Sequence, residues 1–203
     1  VDTVIQGLAM LRERHGIDAL LLVAGGDHAG RLNSSPANPA NPNGPRHRSD
    51  GPEVARLQAL ARQLGIDTHV RFVGQQPREA LRHYYGAADV FVTTPWYEPF
   101  GITPVEAMAC ARPVIGSEVG GIKSTVIDDV TGFLIPSRDP RALAERLAQL
   151  HADPLLARRM GEEGLRRAYR HYTWRSVASQ AAAVYAAVLD EYRASTASSL
   201  PTL

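Results

Sequence analysis

The chain reads as a doubly wound α/β domain on a largely parallel sheet, and three observations predict it. Hydrophobic spacing alternates between the 3.6-residue period of amphipathic helices and short continuous apolar strings of the kind carried by strands buried on both faces. The stretches HGIDALLLVAGG and LGIDTHVRFVG repeat one unit, a helix end, a glycine and a strand. Asp139-Pro140 and Asp153-Pro154 each place an N-cap acceptor before a proline at the first helical position, where its absent N–H costs nothing. Alternation of this kind belongs to βα units.

In chain order, DTVIQGLAMLRERHG predicts a helix with Val4, Leu8 and Leu11 along one face, stopped by Gly16 in the left-handed position that ends helices. ALLLVAGG follows as a strand. Residues 29–52, AGRLNSSPANPANPNGPRHRSDGP, then break the rhythm. They hold almost no large apolar residue to offset their ordering entropy, which predicts a mobile Pro/Asn-rich surface insertion. Arg46, His47 and Arg48 within it read as solvated loop charges. The alternation resumes with PEVARLQALARQLG (helix), HVRFVG (strand), REALRHYYGAA (helix), DVFVTT (strand) and ITPVEAMACA (helix). PVIGS (strand), IKSTVID (helix) and GFLIP (short strand) complete it. Two helices start at the Asp-Pro pairs, and a terminal helix over 173–193 begins at Thr173. Trp174, Val177, Ala181, Val184, Tyr185, Val188 and Tyr192 form one broad apolar stripe on it, which packs on the core or meets a partner domain.

Composition narrows the function. With 203 residues, 44% of them hydrophobic, and a net charge of +1, the chain can bury its own core and has no pull toward nucleic acid or an anionic membrane. The single cysteine, Cys110, lies in the apolar string EAMACARPVI and reads as a small buried hydrophobe, not as part of a disulfide framework or thiolate metal cluster. The longest apolar run is too short to span a bilayer, and the amino terminus lacks the layout of a signal peptide. These features predict a cytoplasmic location without a transmembrane segment, while peripheral membrane contact stays open.

Ligands of open parallel sheets sit beyond the carboxyl ends of the strands. Gly25 and Gly26, Gly74, Gly101, and Gly120 and Gly121 all fall on that predicted rim. There, backbone amides and a helix terminus carrying about half a positive charge can receive a phosphate. No GxxxxGK[ST] occurs, and GGDHAG departs from the dinucleotide fingerprint, so a nucleotide would be held in another way. The stretch EPFGITPVE adds two carboxylates. Thr103, Pro104 and Glu106 satisfy the capping-box pattern, with Thr103 as N-cap and Glu106 reaching back. Glu98 lies outside that box, in a turn bent by Pro99 and Gly101 after the aromatic pair of TTPWY. A carboxylate in front of a helix terminus suits a hydroxyl-rich ligand whose diphosphate occupies that terminus; a purely structural pair is the competing reading.

From HVRFVG through ADVFVTTPWYEPFGITPVEAMACARPVIGSEVGGIKSTVIDDVTGFLIPSRDP the chain resembles the carboxy-terminal, donor-binding domain of the retaining GT-B glycosyltransferases. The family is the large one, family 4 or group 1, that includes sucrose-phosphate synthases and bacterial α-glycosyl and mannosyl transferases. The resemblance implies a Rossmann-like sheet with helices on both faces and a helical tail. It implies that Glu98 is the catalytic contact to donor-sugar hydroxyls and that Glu106 binds the ribose. Phe100, Gly101, Ile102 and Thr103 would lie along the sugar and diphosphate, Gly120 and Gly121 beside them, and Gly25, Gly26 and Gly74 around the nucleoside. The reaction would retain anomeric configuration, with the leaving phosphate taking the acceptor's proton. No Asp-x-Asp occurs, so neither a metal nor a cofactor is expected, and charge stabilisation would come from amides and the helix terminus.

Family members carry, before the position matching VDTVIQGL, a first strand and a loop whose Arg and Lys clamp the diphosphate. By this resemblance residues 1–203 are a donor-binding domain without that strand and without the acceptor domain, its expected partner, and inactive alone. Lys123, His28 and His83 read as surface or packing residues. A sugar-nucleotide epimerase of the same architecture and a non-catalytic nucleotide-sugar module are the alternatives.

Overall fold

In the computed structural model, residues 1–25 and 51–197 are described. Gly26, His28, Arg46, His47, Arg48 and all but the last two residues of the predicted insertion lie outside the described residues. Helix α1 (Asp2–His15) ends at Gly16, which adopts φ 65° and donates its N–H to the Arg12 carbonyl. Ile5, Leu8 and Leu11 form its buried face, with Val4 at the margin. Strand β1 (Leu21–Ala24), α2 (Pro52–Gln63), a 3-10 turn (Asp67–His69) and β2 (Val70–Gly74) follow, and β1 and β2 pair in parallel. The chain continues through α3 (Arg78–Ala87), β3 (Phe91–Thr93), α4 (Ile102–Ala109), β4 (Val114–Ser117), α5 (Ile122–Thr125) and β5 (Gly132–Ile135). These strands form a second parallel ladder in the order β3-β4-β5. Parallel neighbours need crossover connections, and the helices between the strands supply them on both sides.

The single sheet anticipated from the sequence is thus two hydrogen-bonded ladders among the described residues. Side chains join them instead. Ile5 and Leu8 of α1 pack with Leu57, Ala61 and Val70 on one side and with Ala144 on the other, while Val4 reaches the cluster of Ile115, Phe133 and Leu143. Burial on both faces holds for β4, every residue of which is buried, but not for β1, whose residues alternate and leave Leu22 exposed.

Helices α6 (Pro140–Ala152) and α7 (Pro154–His171) start as the Asp-Pro pairs require, with Asp139 and Asp153 accepting from the N–H groups of Ala142 and Leu156, each at 2.9 Å. Helix α6 covers α1 and α7 covers α4. Thr173 opens α8 (Trp174–Ala197) by accepting from the Ser176 N–H at 3.2 Å. Two expectations need correction. IKSTVID yields only one helical turn, because Val126 turns extended after Thr125. The α8 stripe does not pack on the core: Trp174 is 88% and Tyr185 72% exposed, since the helix leaves the body of the domain after α7.

Candidate functional site

Strand β3 delivers the chain through Thr94 and Pro95 to Glu98, whose side chain folds back on its own turn. One carboxylate oxygen accepts from the Gly101 N–H at 3.0 Å and the Phe100 N–H at 3.3 Å. Gly101 adopts φ 84° as N-cap of α4, a left-handed conformation that glycine takes without Cβ strain. The Thr103 capping box therefore does not form. Thr103 lies inside the helix, no side chain caps it, and Glu106 turns elsewhere. The helix begins one residue too early for it: with Gly101 as N-cap and Ile102 as the first helical residue, Thr103 already lies within the first turn. Of the helix's own first-turn groups, the N–H of Ile102 and of Thr103 remain without an intrahelical acceptor, and Pro104 has no N–H.

The carboxyl end of β4 brings a second loop against this turn. The Gly121 N–H donates to the Glu98 carbonyl at 2.8 Å. A Cβ on Gly120 would stand 1.9 Å from that carbonyl oxygen, and one on Gly121 2.3 Å from the Phe100 carbonyl oxygen, so only glycine permits the approach. Behind the loop, Arg167 of α7 donates to the carbonyls of Thr125 at 2.9 Å and Ser124 at 2.6 Å, closing the end of α5. Its guanidinium sits 5.7 Å from the centre of the Tyr172 ring, which meets the Phe100 ring edge-on at 6.3 Å. Phe100, Ile102, Trp96 and Tyr97 form an exposed apolar lip around the turn.

One helical turn further along α4, Glu106 accepts a hydrogen bond of 3.0 Å from the Tyr85 hydroxyl of α3. Burial, then the neighbouring Glu106, push the Tyr85 hydroxyl's pKa upward, so it serves as donor. Its ring packs edge-on against Phe91, with centroids 5.4 Å apart. Cys110, the next residue on that helix face, is only partly buried, less than the sequence suggested; burial still pushes its thiol pKa up.

The structure thus brings Glu98, Phe100, Gly101, Ile102, Thr103, Gly120 and Gly121 into one place, with Glu106 on the same helix. Gly25 and Gly74 sit at the end of the other ladder, where the Gly25 N–H is spent on the Gly74 carbonyl at 2.9 Å. Lys123 is a surface lysine 3.6 Å from Glu118, and His83 is exposed. Sequence reasoning missed Tyr85, Arg167 and Tyr172; each acts across more than 20 residues or between helices, and no local pattern marks them. Among the described residues, no three His, Cys, Asp or Glu side chains converge as a metal site would require, and no helix is long and apolar enough to cross a membrane.

Two parallel ladders flanked by helices, with an acid-bearing turn packed on a Gly-Gly loop at the strand ends, define a GT-B half-molecule. Sucrose-phosphate synthase from Thermosynechococcus elongatus overlays on it with a TM-score of 0.71 at 35% identity, covering 93% of this chain and 43% of that one. The carboxy-terminal domain of a group 1 family glycosyl transferase from Francisella tularensis shares the fold, with a TM-score of 0.66 at 21% identity over 85% of this chain and 79% of that one. The chain belongs to the glycosyl transferases group 1 family, which matches residues 1–167. A D-inositol 3-phosphate glycosyltransferase from Streptomyces bingchenggensis is 38% identical over 138 residues, 68% of this chain and 30% of the relative. The chain spans about a third of the length of the curated relatives it matches.

Proposed function

We propose that this chain is the donor-binding part of a retaining glycosyltransferase that moves a sugar from a nucleoside diphosphate sugar to an acceptor hydroxyl. The observation that carries the reading is the junction of the Glu98 turn, the α4 terminus and the Gly120-Gly121 loop. Glu98 holds its turn closed with one oxygen and keeps the other for donor-sugar hydroxyls. The Ile102 and Thr103 N–H groups and the α4 terminus face the diphosphate, and Glu106 receives the ribose. As the bond from the sugar to the diphosphate breaks, the acceptor oxygen bonds to the same face of the anomeric carbon. The departing phosphate oxygen takes the acceptor's proton, so configuration is retained and no side-chain nucleophile is used. The reading calls for no metal and no cofactor; preorganised amides supply the electrostatics. Gly25 and Gly74 lie toward the nucleoside, the remainder of the protein supplies the acceptor side, and the location is cytoplasmic.

The experiment uses the full-length protein with labelled nucleoside diphosphate sugars. D-inositol 3-phosphate, the compound in the relatives' names, is the first acceptor to try. Transfer with retained configuration, read by NMR, is the expected result. Glu98→Gln should keep the fold and lower turnover by about 100-fold or more, the size lost when a group acting in the transition state is removed. Unchanged turnover, or epimerised donor formed without any acceptor, overturns the reading.

A further inference from the structure

We infer that Tyr85 is a positioning residue for Glu106, fixing its carboxylate so that one oxygen stays presented to the vicinal hydroxyls of a ribose. The inference rests on the reading of Glu106 given above. A glutamate on a helix surface has three rotatable side-chain bonds, and ordering them when ligand arrives opposes binding. Here the ordering is done in advance. The Tyr85 hydroxyl donates to Oε2 of Glu106 at 3.0 Å, a charge-assisted bond of the stronger class. The phenol is itself held, half-buried, with its ring edge-on to Phe91 at the start of β3. Among the described residues Tyr85 is the only hydrogen-bond partner of the Glu106 side chain, which leaves Oε1 for a ligand. The contact joins α3 to α4, so the strand-helix layout that places the Glu98 turn also sets the distance from that turn to the Glu106 carboxylate.

Tyr85→Phe removes the hydroxyl and keeps the ring on Phe91. In the full-length protein, calorimetry with UDP, GDP and ADP selects the tightest binder, which is then compared with its 2′-deoxy and 3′-deoxy counterparts. Tyr85→Phe should weaken the ribonucleotide about fivefold, the scale of one net hydrogen bond, and the deoxy counterpart that has lost the Glu106 contact by less than twofold. Equal weakening of ribo and deoxy forms, or none, overturns the inference, because a merely structural tyrosine would not discriminate between them. Glu106→Gln separates the two levels. If it leaves the ratio of ribo to deoxy affinity at the wild-type value, the ribose role of Glu106 fails and the inference fails with it. If it collapses that ratio while Tyr85→Phe does not, only the positioning role fails. In the Glu106→Gln background, adding Tyr85→Phe should cause no further loss.

Discussion

The two parallel ladders share one βα grammar but differ in what covers them. Strand β4 has no exposed residue and packs against α4 and α5, whereas β1 alternates, with Leu22 42% exposed. The glycines at their ends differ in the same way. Gly120 and Gly121 press against the backbone of Glu98 and Phe100, while a Cβ on Gly25 would meet nothing within 4 Å. A glycine after a strand is therefore weak evidence of a site. The informative one is the glycine that a second chain segment has packed against, because there the loop's shape is fixed before any ligand arrives.

The largest expected effect breaks that packing. Gly121→Ala puts a methyl group 2.3 Å from the Phe100 carbonyl oxygen and should cost about 3 kcal/mol in urea unfolding, at the upper end of overpacking effects. A cost below about 1 kcal/mol would show that the two loops yield easily and that the covered half is not rigid. Next comes Arg167→Ala, which strips the donors from the Ser124 and Thr125 carbonyls and the cation from Tyr172. A loss of about 2 kcal/mol is expected, the range of hydrogen bonds from a charged donor. Arg167→Lys should restore only part of it, since an ammonium cannot span both carbonyls as the guanidinium does. The smallest effect lies on the other ladder. Leu22→Thr should change stability by no more than about 0.5 kcal/mol, as expected at an exposed position outside the core. A larger loss would mean that β1 is covered after all.

These contrasts also explain what the sequence could and could not reveal. The starts of α6, α7 and α8 were legible because Asp139, Asp153 and Thr173 cap within three residues of themselves, and Gly16 closed α1 by the same local logic. The two-carboxylate motif was legible as a motif but not in its internal wiring. The residue order Thr103, Pro104, Val105, Glu106 satisfies a capping box, yet the helix starts at Ile102 with Gly101 as its N-cap, and Tyr85, 21 residues back, recruited Glu106. The second outcome follows from tertiary packing of α3 on α4, to which local spacing is blind. The exposed stripe of α8 was visible as a pattern, but a pattern says only that an apolar face exists, not whether the domain's own core takes it up.

Hydrogen exchange on the full-length protein, with and without UDP, GDP or ADP, tests the central claim most directly. If the junction of the Glu98 turn with the Gly120-Gly121 loop is where the nucleoside diphosphate sits, the Ile102 and Thr103 amides should gain protection on binding. The segment from Glu118 to Ile122 should gain it with them, because its backbone is hydrogen-bonded to the Glu98 turn. Protection confined to the ends of β1 and β2, with residues 98–106 unchanged, would contradict the account.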